Sequence, residues 1–218
     1  MSTTISTHGH SCVRLERDGH VLVIDPGGFS DPAATDGAGA VLVTHEHMDH
    51  VVPDRLAAAV AGVAGLQVWA PREVVDQLVA AGAAADRVHA VAEGDAFTAE
   101  GFTVRVVGHR HATIHPSLPP ATNVAYLVDG AVLHPGDSFT PPPVGVHVDV
   151  LLLPVSAPWL KISEAADYLQ AVAPRVAVPI HDAILAETGR ALVDRLLPAF
   201  AGSGTEYRRL GAGETLTV

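Results

Sequence analysis

The 218-residue chain is poor in several features that would place it in other protein classes. Its single cysteine, Cys12, rules out an internal disulfide and a cysteine-based metal site. Only 13 Lys and Arg residues oppose 24 Asp and Glu residues, and the net charge of -11 disfavours binding to nucleic acid or to an anionic membrane. No apolar run is long enough to span a bilayer, and the N-terminal residues lack the basic and apolar regions of a signal peptide. We therefore expect a cytoplasmic protein that binds neither nucleic acid nor membranes.

The composition that remains is typical of a compact globular protein. Apolar residues make up 48% of the chain and charged residues only 17%, which argues against disorder. The length fits one domain with a substantial core. Because no linker, charge run or low-complexity tract divides the chain, we expect a single domain over residues 1–218. Homo-oligomerisation stays open.

The strongest signal is a short apolar strand that leads into a cluster of histidines. Val41 to Val43 is the apolar, β-branched run of a buried strand, and Thr44 ends it. Four potential metal ligands follow within six residues: His45, His47, Asp49 and His50. Burying these groups together is costly unless their ring nitrogens and charge find partners, and a metal is such a partner. A surface loop that happens to contain histidines is the alternative, and it does not explain four potential ligands behind one buried strand.

The pattern of elements indicates two similar halves. An Asp18-Gly19 hairpin turn precedes a strand that stops at Asp25-Pro26-Gly27, and an Asp129-Gly130 turn precedes a strand that stops at Pro135-Gly136-Asp137. The alternative is coincidence, since Asp-Gly hairpins are common. Helices are predicted at about 54–64, 71–82, 163–172 and 185–197, with Ser163 as the N-cap of the third.

Further His and Asp residues follow the carboxyl ends of other predicted strands. His109 and His111 follow the strand at 104–107, Asp137 follows 132–133, and His181 follows 176–180. Strand ends converge on one edge of a layered fold, where loops carry function. We therefore expect these side chains to form one site with the cluster after Val43.

The set of motifs resembles the metallo-β-lactamase superfamily of binuclear metal hydrolases. The resemblance rests on His45-x-His47-x-Asp49-His50, on His111, on Asp137 in Pro-Gly-Asp-Ser, and on His181 in Pro-Ile-His-Asp. It implies an α/β fold, the four-layer αββα sandwich of two similar halves. The opening segment, Thr7-His8-Gly9-His10-Ser11, looks most like the branch that includes ascorbate-6-phosphate lactonase.

The resemblance also implies a set of ligands for each of two divalent metal ions. The first metal would be held by His45, His47 and His111; the second by Asp49, His50 and His181; and Asp137 would bridge them. His111 is preferred to His109 because the family's ligand is commonly followed by a small residue, here Ala112. Zinc suits these donors best, with manganese or iron as alternatives.

Other residues near these motifs are candidates for supporting roles. Asp49 would also orient the nucleophile, and His10, which resembles a family position beside the metals, would support them without binding them. His115 would stabilise an oxyanion or protonate a leaving group, or it is simply a loop histidine bonded to backbone. Trp159 would line an apolar mouth or pack against the core, and Lys161 is one contact for an anionic substrate.

The function expected from the resemblance is hydrolysis of a small-molecule ester, lactone, amide or phosphoester by a metal-bound hydroxide. A diiron redox enzyme of the same fold is one alternative, and His47 in place of a glutamate disfavours an oxygen-reducing version of it. A nuclease would carry a basic surface, which this chain lacks. A non-catalytic metal-binding protein is the remaining alternative, and the full ligand set argues against it.

Overall fold

A computed structural model describes residues 2–218 as four layers, with two β-sheets packed face to face between pairs of helices. The strands are β1 Thr4–Thr7, β2 Val13–Arg17, β3 His20–Ile24, β4 Ala40–Leu42, β5 Gln67–Ala70, β6 Val88–Ala90, β7 Ala96–Ala99, β8 Phe102–Val107, β9 Ala125–Val128, β10 Val132–His134, β11 Val150–Pro154, β12 Val176–Ile180, β13 Glu206–Tyr207 and β14 Leu216–Thr217. The α-helices are α1 Pro53–Gly62, α2 Arg72–Ala80, α3 Ile162–Val172 and α4 Glu187–Leu196.

The two sheets repeat one topology, which confirms the predicted sandwich of two similar halves. The strand orders are β14-β1-β2-β3-β4-β5-β6 and β7-β8-β9-β10-β11-β12-β13. In each order the first three pairs are antiparallel and the last three are parallel. The two Asp-Gly turns occupy equivalent hairpins: Asp18 and Asp129 both have φ of 51°, and Gly19 and Gly130 follow with φ of 84° and 65°. Positive φ at both positions is the requirement of a two-residue hairpin turn.

The core has three apolar layers. One lies between the sheets and contains Phe102 and Tyr126, the largest fully buried side chains; the other two lie between each sheet and its helices. The Tyr126 hydroxyl donates to the carbonyls of Val43 at 2.9 Å and Trp69 at 3.2 Å. This contact ties β9 of the second sheet to the strand ends of the first, next to the histidine cluster.

The central parallel strands β4, β11 and β12 are buried along their whole length. Every residue of β11 and of β12 is buried, as expected for strands with near-continuous apolar sequences. The loops after these strands therefore leave a rigid scaffold at one edge, where the predicted site residues lie.

The predicted position of one helix cap is wrong. Ser163 lies inside the first turn of α3, which begins at Ile162. The carboxylate of Glu164 accepts a hydrogen bond from the backbone N–H of Lys161 at 3.1 Å. The N–H group just before the helix is therefore paired with the side chain of a residue three positions later. The other helices lie within about three residues of their predicted limits. The short strand β13 was not predicted.

Across residues 2–218, every helix is too short or too polar to cross a bilayer. The expected cytoplasmic location stays a prediction.

Candidate metal centre

Eight side chains with metal-binding atoms meet at the carboxyl edge of the two sheets. They form two groups, in each of which the potential ligand atoms lie within 4.8 Å of one another. The first group is His45, His47, His111 and Asp137, and the second group is His10, Asp49, His50 and His181. The structure thus brings together all seven predicted metal ligands and adds His10.

A tight turn after β4 aims four of these side chains at one volume. The backbone N–H groups of His50 and Val51 both donate to the carbonyl of His47, at 2.9 and 3.0 Å. The carbonyl of Met48 accepts from Gly28 N at 2.7 Å, and Gly27 packs so closely on the turn that a Cβ there would lie 1.8 Å from the Asp49 carbonyl oxygen. The turn is therefore fixed by its own backbone hydrogen bonds and by the packing of Gly27 and Gly28 against it.

Asp137 lies between the two groups and faces both. Its Oδ1 is 3.0 Å from Nε2 of His50 and 3.0 Å from Nε2 of His181, while its Oδ2 is 3.3 Å from Nε2 of His111. The buried atoms His50 Nε2, His111 Nε2, His181 Nε2 and Asp137 Oδ1 have no hydrogen-bond partner. Unpaired buried polar atoms are costly. Ligands of one ion at about 2.0–2.2 Å from it converge in this way without hydrogen-bond geometry, so these residues fit a pair of metal ions.

The loop that carries Asp137 is fixed by Asn123. The Asn123 side chain accepts from the Asp137 backbone N–H at 2.9 Å and donates to the Pro135 carbonyl at 3.0 Å. Gly136 has φ of 59°, and a Cβ there would lie 2.3 Å from the Asn123 side-chain oxygen. Only glycine fits between Pro135 and Asp137 without moving the carboxylate.

The first group contains three imidazoles that lie close together. His45 Nε2 lies 3.0 Å from His47 Nδ1, and the ring of His111 lies 5.0 Å from that of His45 and 4.8 Å from that of His47. Burial holds the pKa of His45 well below its ordinary value. A neutral imidazole is the form that binds a metal.

Asp25 is a site residue that sequence reasoning missed. Its Oδ2 lies 2.7 Å from His50 Nδ1 and accepts from the Thr44 hydroxyl at 2.7 Å, and its Oδ1 accepts from Thr44 N at 2.8 Å. A carboxylate on the far nitrogen of a ligand histidine fixes the ring and its tautomer. The sequence Asp-Pro-Gly-Gly was interpreted only as a turn, although Asp25 follows the buried strand β3 in the same way that the other site residues follow theirs.

The charges of the buried network balance one another. Burial would lower the pKa of His50, but the carboxylates of Asp137 and Asp25 outweigh it and raise that pKa well above the ordinary value. Burial would raise the pKa of Asp137, but the charge of His50 and the nearby rings of His111 and His181 hold it well below its usual range. Asp137 is therefore an ionised carboxylate in the folded protein.

His10 reaches the second group from the loop between β1 and β2. Its Nε2 lies 3.0 Å from Asp49 Oδ2, its Nδ1 accepts from the Ala183 backbone N–H at 3.3 Å, and its ring centroid is 3.9 Å from that of His181. His10 has φ of 53°, a conformation that non-glycine residues adopt rarely. The surrounding contacts hold this conformation and turn the ring to Asp49.

The structure separates the two histidines that follow β8. His111 is buried in the first group, whereas the exposed ring of His109 lies 2.8 Å from Glu93, outside both groups. His115 is also exposed and outside both groups, with its Nδ1 2.7 Å from the Ser117 hydroxyl. The catalytic role considered for His115 stays a prediction.

Trp159 contacts the site directly. Its Nε1–H donates to Asp137 Oδ2 at 2.8 Å, and Phe139 packs edge-on against it with ring centroids 5.3 Å apart. The buried ring agrees with the core-packing alternative, and its N–H orients the Asp137 carboxylate. Lys161 is exposed at the start of α3.

Comparison with known proteins identifies the family of the chain. Residues 4–181 match the protein family described as a beta-lactamase superfamily domain. The chain belongs to that superfamily. The protein Rv0786c of Mycobacterium tuberculosis is 42% identical over 193 residues, which cover 85% of this chain and 87% of the relative. The narrower likeness to ascorbate-6-phosphate lactonase is not specifically supported and stays a prediction.

Solved structures confirm the metallo-β-lactamase fold. Igni18, a metallo hydrolase of Ignicoccus hospitalis, superposes with a TM-score of 0.73 at 21% identity and covers 100% of this chain and 99% of its own. CmlA, a diiron β-hydroxylase of Streptomyces venezuelae, superposes with a TM-score of 0.69 at 16% identity over 99% of this chain and 54% of CmlA. At these identities the superpositions show the fold alone.

Proposed function

We propose that this member of the metallo-β-lactamase superfamily is a binuclear metal-dependent hydrolase of a small-molecule ester, lactone, amide or phosphoester. The observation that carries the proposal is the position of Asp137, whose two oxygens face the two groups of potential ligands. His45, His47 and His111 would hold the first ion, and Asp49, His50 and His181 the second. The histidine-rich first group favours zinc, with manganese or iron as alternatives.

When bound, two divalent ions supply a hydroxide nucleophile at neutral pH and polarise the oxygen of the scissile bond. The protein's own contribution is to hold acceptors and donors around that nucleophile. Burial would raise the pKa of Asp49, but the hydrogen bond from His10 and the nearby ring of His181 lower it below its usual range. Asp49 is therefore an ionised acceptor that can orient an attacking water, and the Trp159 N–H keeps Asp137 turned towards the first group.

The redox alternative is disfavoured by the chemistry of the first group. Its donors are three imidazoles and one shared carboxylate. This nitrogen-rich set suits zinc, whereas carboxylate-rich sets are common in diiron centres. Purified protein that contains iron and hydrolyses no reporter would nevertheless support the redox alternative.

Hydrolysis by the metal-loaded protein tests the proposal. Protein purified without added metal is assayed with lactone, ester, phosphodiester, thioester and β-lactam reporters, before and after chelation and metal return. We expect turnover of at least one reporter that is lost on chelation and restored by metal. Asp137→Asn should lower that turnover by at least about a hundredfold, because it removes the charge shared by both groups.

The matched control is Asp149→Asn, which changes an exposed carboxylate that pairs with Arg175 at 3.6 Å. It should retain full turnover. Chelator-resistant activity, or an Asp137→Asn variant as active as the control, would overturn the proposed mechanism.

A further inference from the structure

A groove next to the first ligand group is lined mainly by apolar residues, unlike the polar metal centre itself. It has a volume of about 310 Å³ and lies between the turn that carries His47 and the loop that follows His111. Both of these ligands line it, so a molecule in the groove would have its reacting bond beside the first metal. The remaining lining comes mainly from residues 112–121.

Apolar side chains in this loop are left uncovered. Ile114 is 43% exposed and Leu118 is 53% exposed, and both line the groove together with Pro119 and Pro120. Exposed apolar side chains clustered in a concave surface are typical of ligand-binding sites. The groove therefore offers apolar contact area that the protein itself does not use.

The loop is anchored at both ends to the metal centre. Ala112 N donates to the Asp137 carbonyl at 2.8 Å, His111 N donates to the Ala121 carbonyl at 3.1 Å, and Leu118 N donates to the His115 carbonyl at 3.0 Å. Two prolines restrict the returning part of the loop. The apolar wall is thus held at a defined distance from the ligands, as a substrate-positioning surface requires.

The charge of the groove excludes one class of substrate group. Of the residues that line it, Glu46 alone is charged, and its carboxylate accepts from the Gln77 side-chain amide at 3.0 Å. Phosphates and carboxylates are usually recognised by Arg or Lys. Away from the proposed first metal, an anionic group in the groove would meet one carboxylate and no Arg or Lys side chain among the lining residues.

A larger groove of about 790 Å³ adjoins the second ligand group and is more polar. Two arginines line it, but both already face carboxylates: Arg190 and Arg209 contact Asp182, and Arg209 also pairs with Asp194 at 2.7 Å. Its cations are therefore engaged within the protein, and the apolar groove is the better defined of the two.

We propose that the groove between the His47 turn and residues 112–121 binds a neutral, apolar alkyl chain of the substrate. The substrate class is then an uncharged ester or lactone with a hydrophobic chain, and phosphorylated substrates are disfavoured. This inference rests on the proposed hydrolase function and deepens it.

A series of nitrophenyl esters tests the inference with the metal-loaded enzyme. The acyl groups are acetyl, butyryl and hexanoyl, together with a succinyl ester that ends in a carboxylate. We expect kcat/KM to rise by up to about fourfold for each buried methylene, and the succinyl ester to be poorer than the butyryl ester of similar length. A flat series, or a preference for the succinyl ester, would overturn the inference.

The variant Leu118→Ser removes apolar area from the groove. It should lower kcat/KM about tenfold for the hexanoyl ester and by a smaller factor for the acetyl ester, because the short chain makes less contact with the wall. The matched control is Leu192→Ser, which changes a leucine of α4 that is 47% exposed and lies outside the groove. Equal effects of the two variants would contradict the proposed position of the chain.

Binding without turnover separates the inference from the proposed function. The Kd values of acetyl, butyryl and hexanoyl hydroxamates, measured by calorimetry on metal-loaded protein, should fall with chain length in the wild type and not in Leu118→Ser. Tight chain-dependent binding without hydrolysis of any ester would support the apolar groove and overturn the hydrolase proposal. Ester hydrolysis together with binding that does not depend on chain length would support the hydrolase proposal and overturn the apolar groove.

Discussion

Asp25 and His50 are both fully buried, and the Asp25 carboxylate oxygen Oδ2 lies 2.7 Å from His50 Nδ1. This contact turns Nε2 of the same ring to Asp137, 3.0 Å away. Asp25, which binds no metal in our assignment, therefore fixes the orientation of His50, which does. The arrangement extends the site to β3, one strand beyond the histidine cluster.

Replacing Asp25 by Asn should weaken binding of the second metal. Asn keeps the size of the side chain and tolerates the φ of 51° at this position, but it removes the charge that faces His50. We expect affinity to fall by about 10–100-fold, as measured by competition with a chromophoric chelator. Asp18→Asn is the control, because Asp18 has the same φ of 51° and lies in a hairpin turn. Equal affinities in the two variants would contradict the role of Asp25.

Replacing His10 by Asn tests its contact with Asp49. Asn accepts the left-handed backbone at this position but is too short to replace the 3.0 Å contact with Asp49 Oδ2. We expect the second metal to be lost at lower chelator concentrations than in the wild type, with the first retained. His8→Asn is the control, since His8 contacts Ser6 at 3.0 Å and belongs to neither ligand group. If the variant and the wild type lose both metals at the same chelator concentrations, His10 does not position Asp49.

Trp159 should report metal binding by fluorescence. Its ring centroid lies 6.1 Å from that of His111 and 6.4 Å from that of His181, whereas the ring of Trp69 stacks on Phe97 with centroids 5.1 Å apart. We expect Co²⁺ to quench the emission and Trp159→Phe to abolish most of the change. The same variant removes the hydrogen bond to Asp137 and should lower metal affinity severalfold. Equal quenching in the variant would place the metal elsewhere.

Gly27→Ala should destabilise the protein through the turn that carries the ligands. The added Cβ would lie 1.8 Å from the Asp49 carbonyl oxygen, so the backbone has to move. We expect the free energy of unfolding to fall by about 1–3 kcal/mol, as measured by urea denaturation with metal removed. Gly62→Ala is the control, because a Cβ there meets nothing within 4 Å and the residue ends a helix. It should be neutral or slightly stabilising.

Much of the site could be predicted because its residues obey local rules. His45, His47, Asp49 and His50 stand together in the sequence, and Asp137 and His181 each follow a buried strand. The paired Asp-Gly hairpins indicated the two halves. These features depend on neighbouring residues and on strand burial, both of which are readable from residue types.

Long-range contacts were harder to predict. The His10 side chain meets Asp49 across 39 residues, and Asp25 meets His50 across 25. Both depend on how two loops approach, which local sequence does not specify. The same limitation applies to the bond from Trp159 to Asp137, which joins residues 22 positions apart. The wrong N-cap at Ser163 has a local cause, because the Glu164 carboxylate pairs with the Lys161 N–H.

The most direct test of the binuclear centre is the number of metal ions per chain, measured by elemental analysis after exchange into metal-free buffer. The wild type and the exposed control His147→Ala should each hold two ions per chain. His47→Ala should lose the ion of the first group, and Asp137→Ala should lose at least one ion because its carboxylate faces both groups. Two ions per chain in both ligand variants, or none in the wild type, would contradict the assignment.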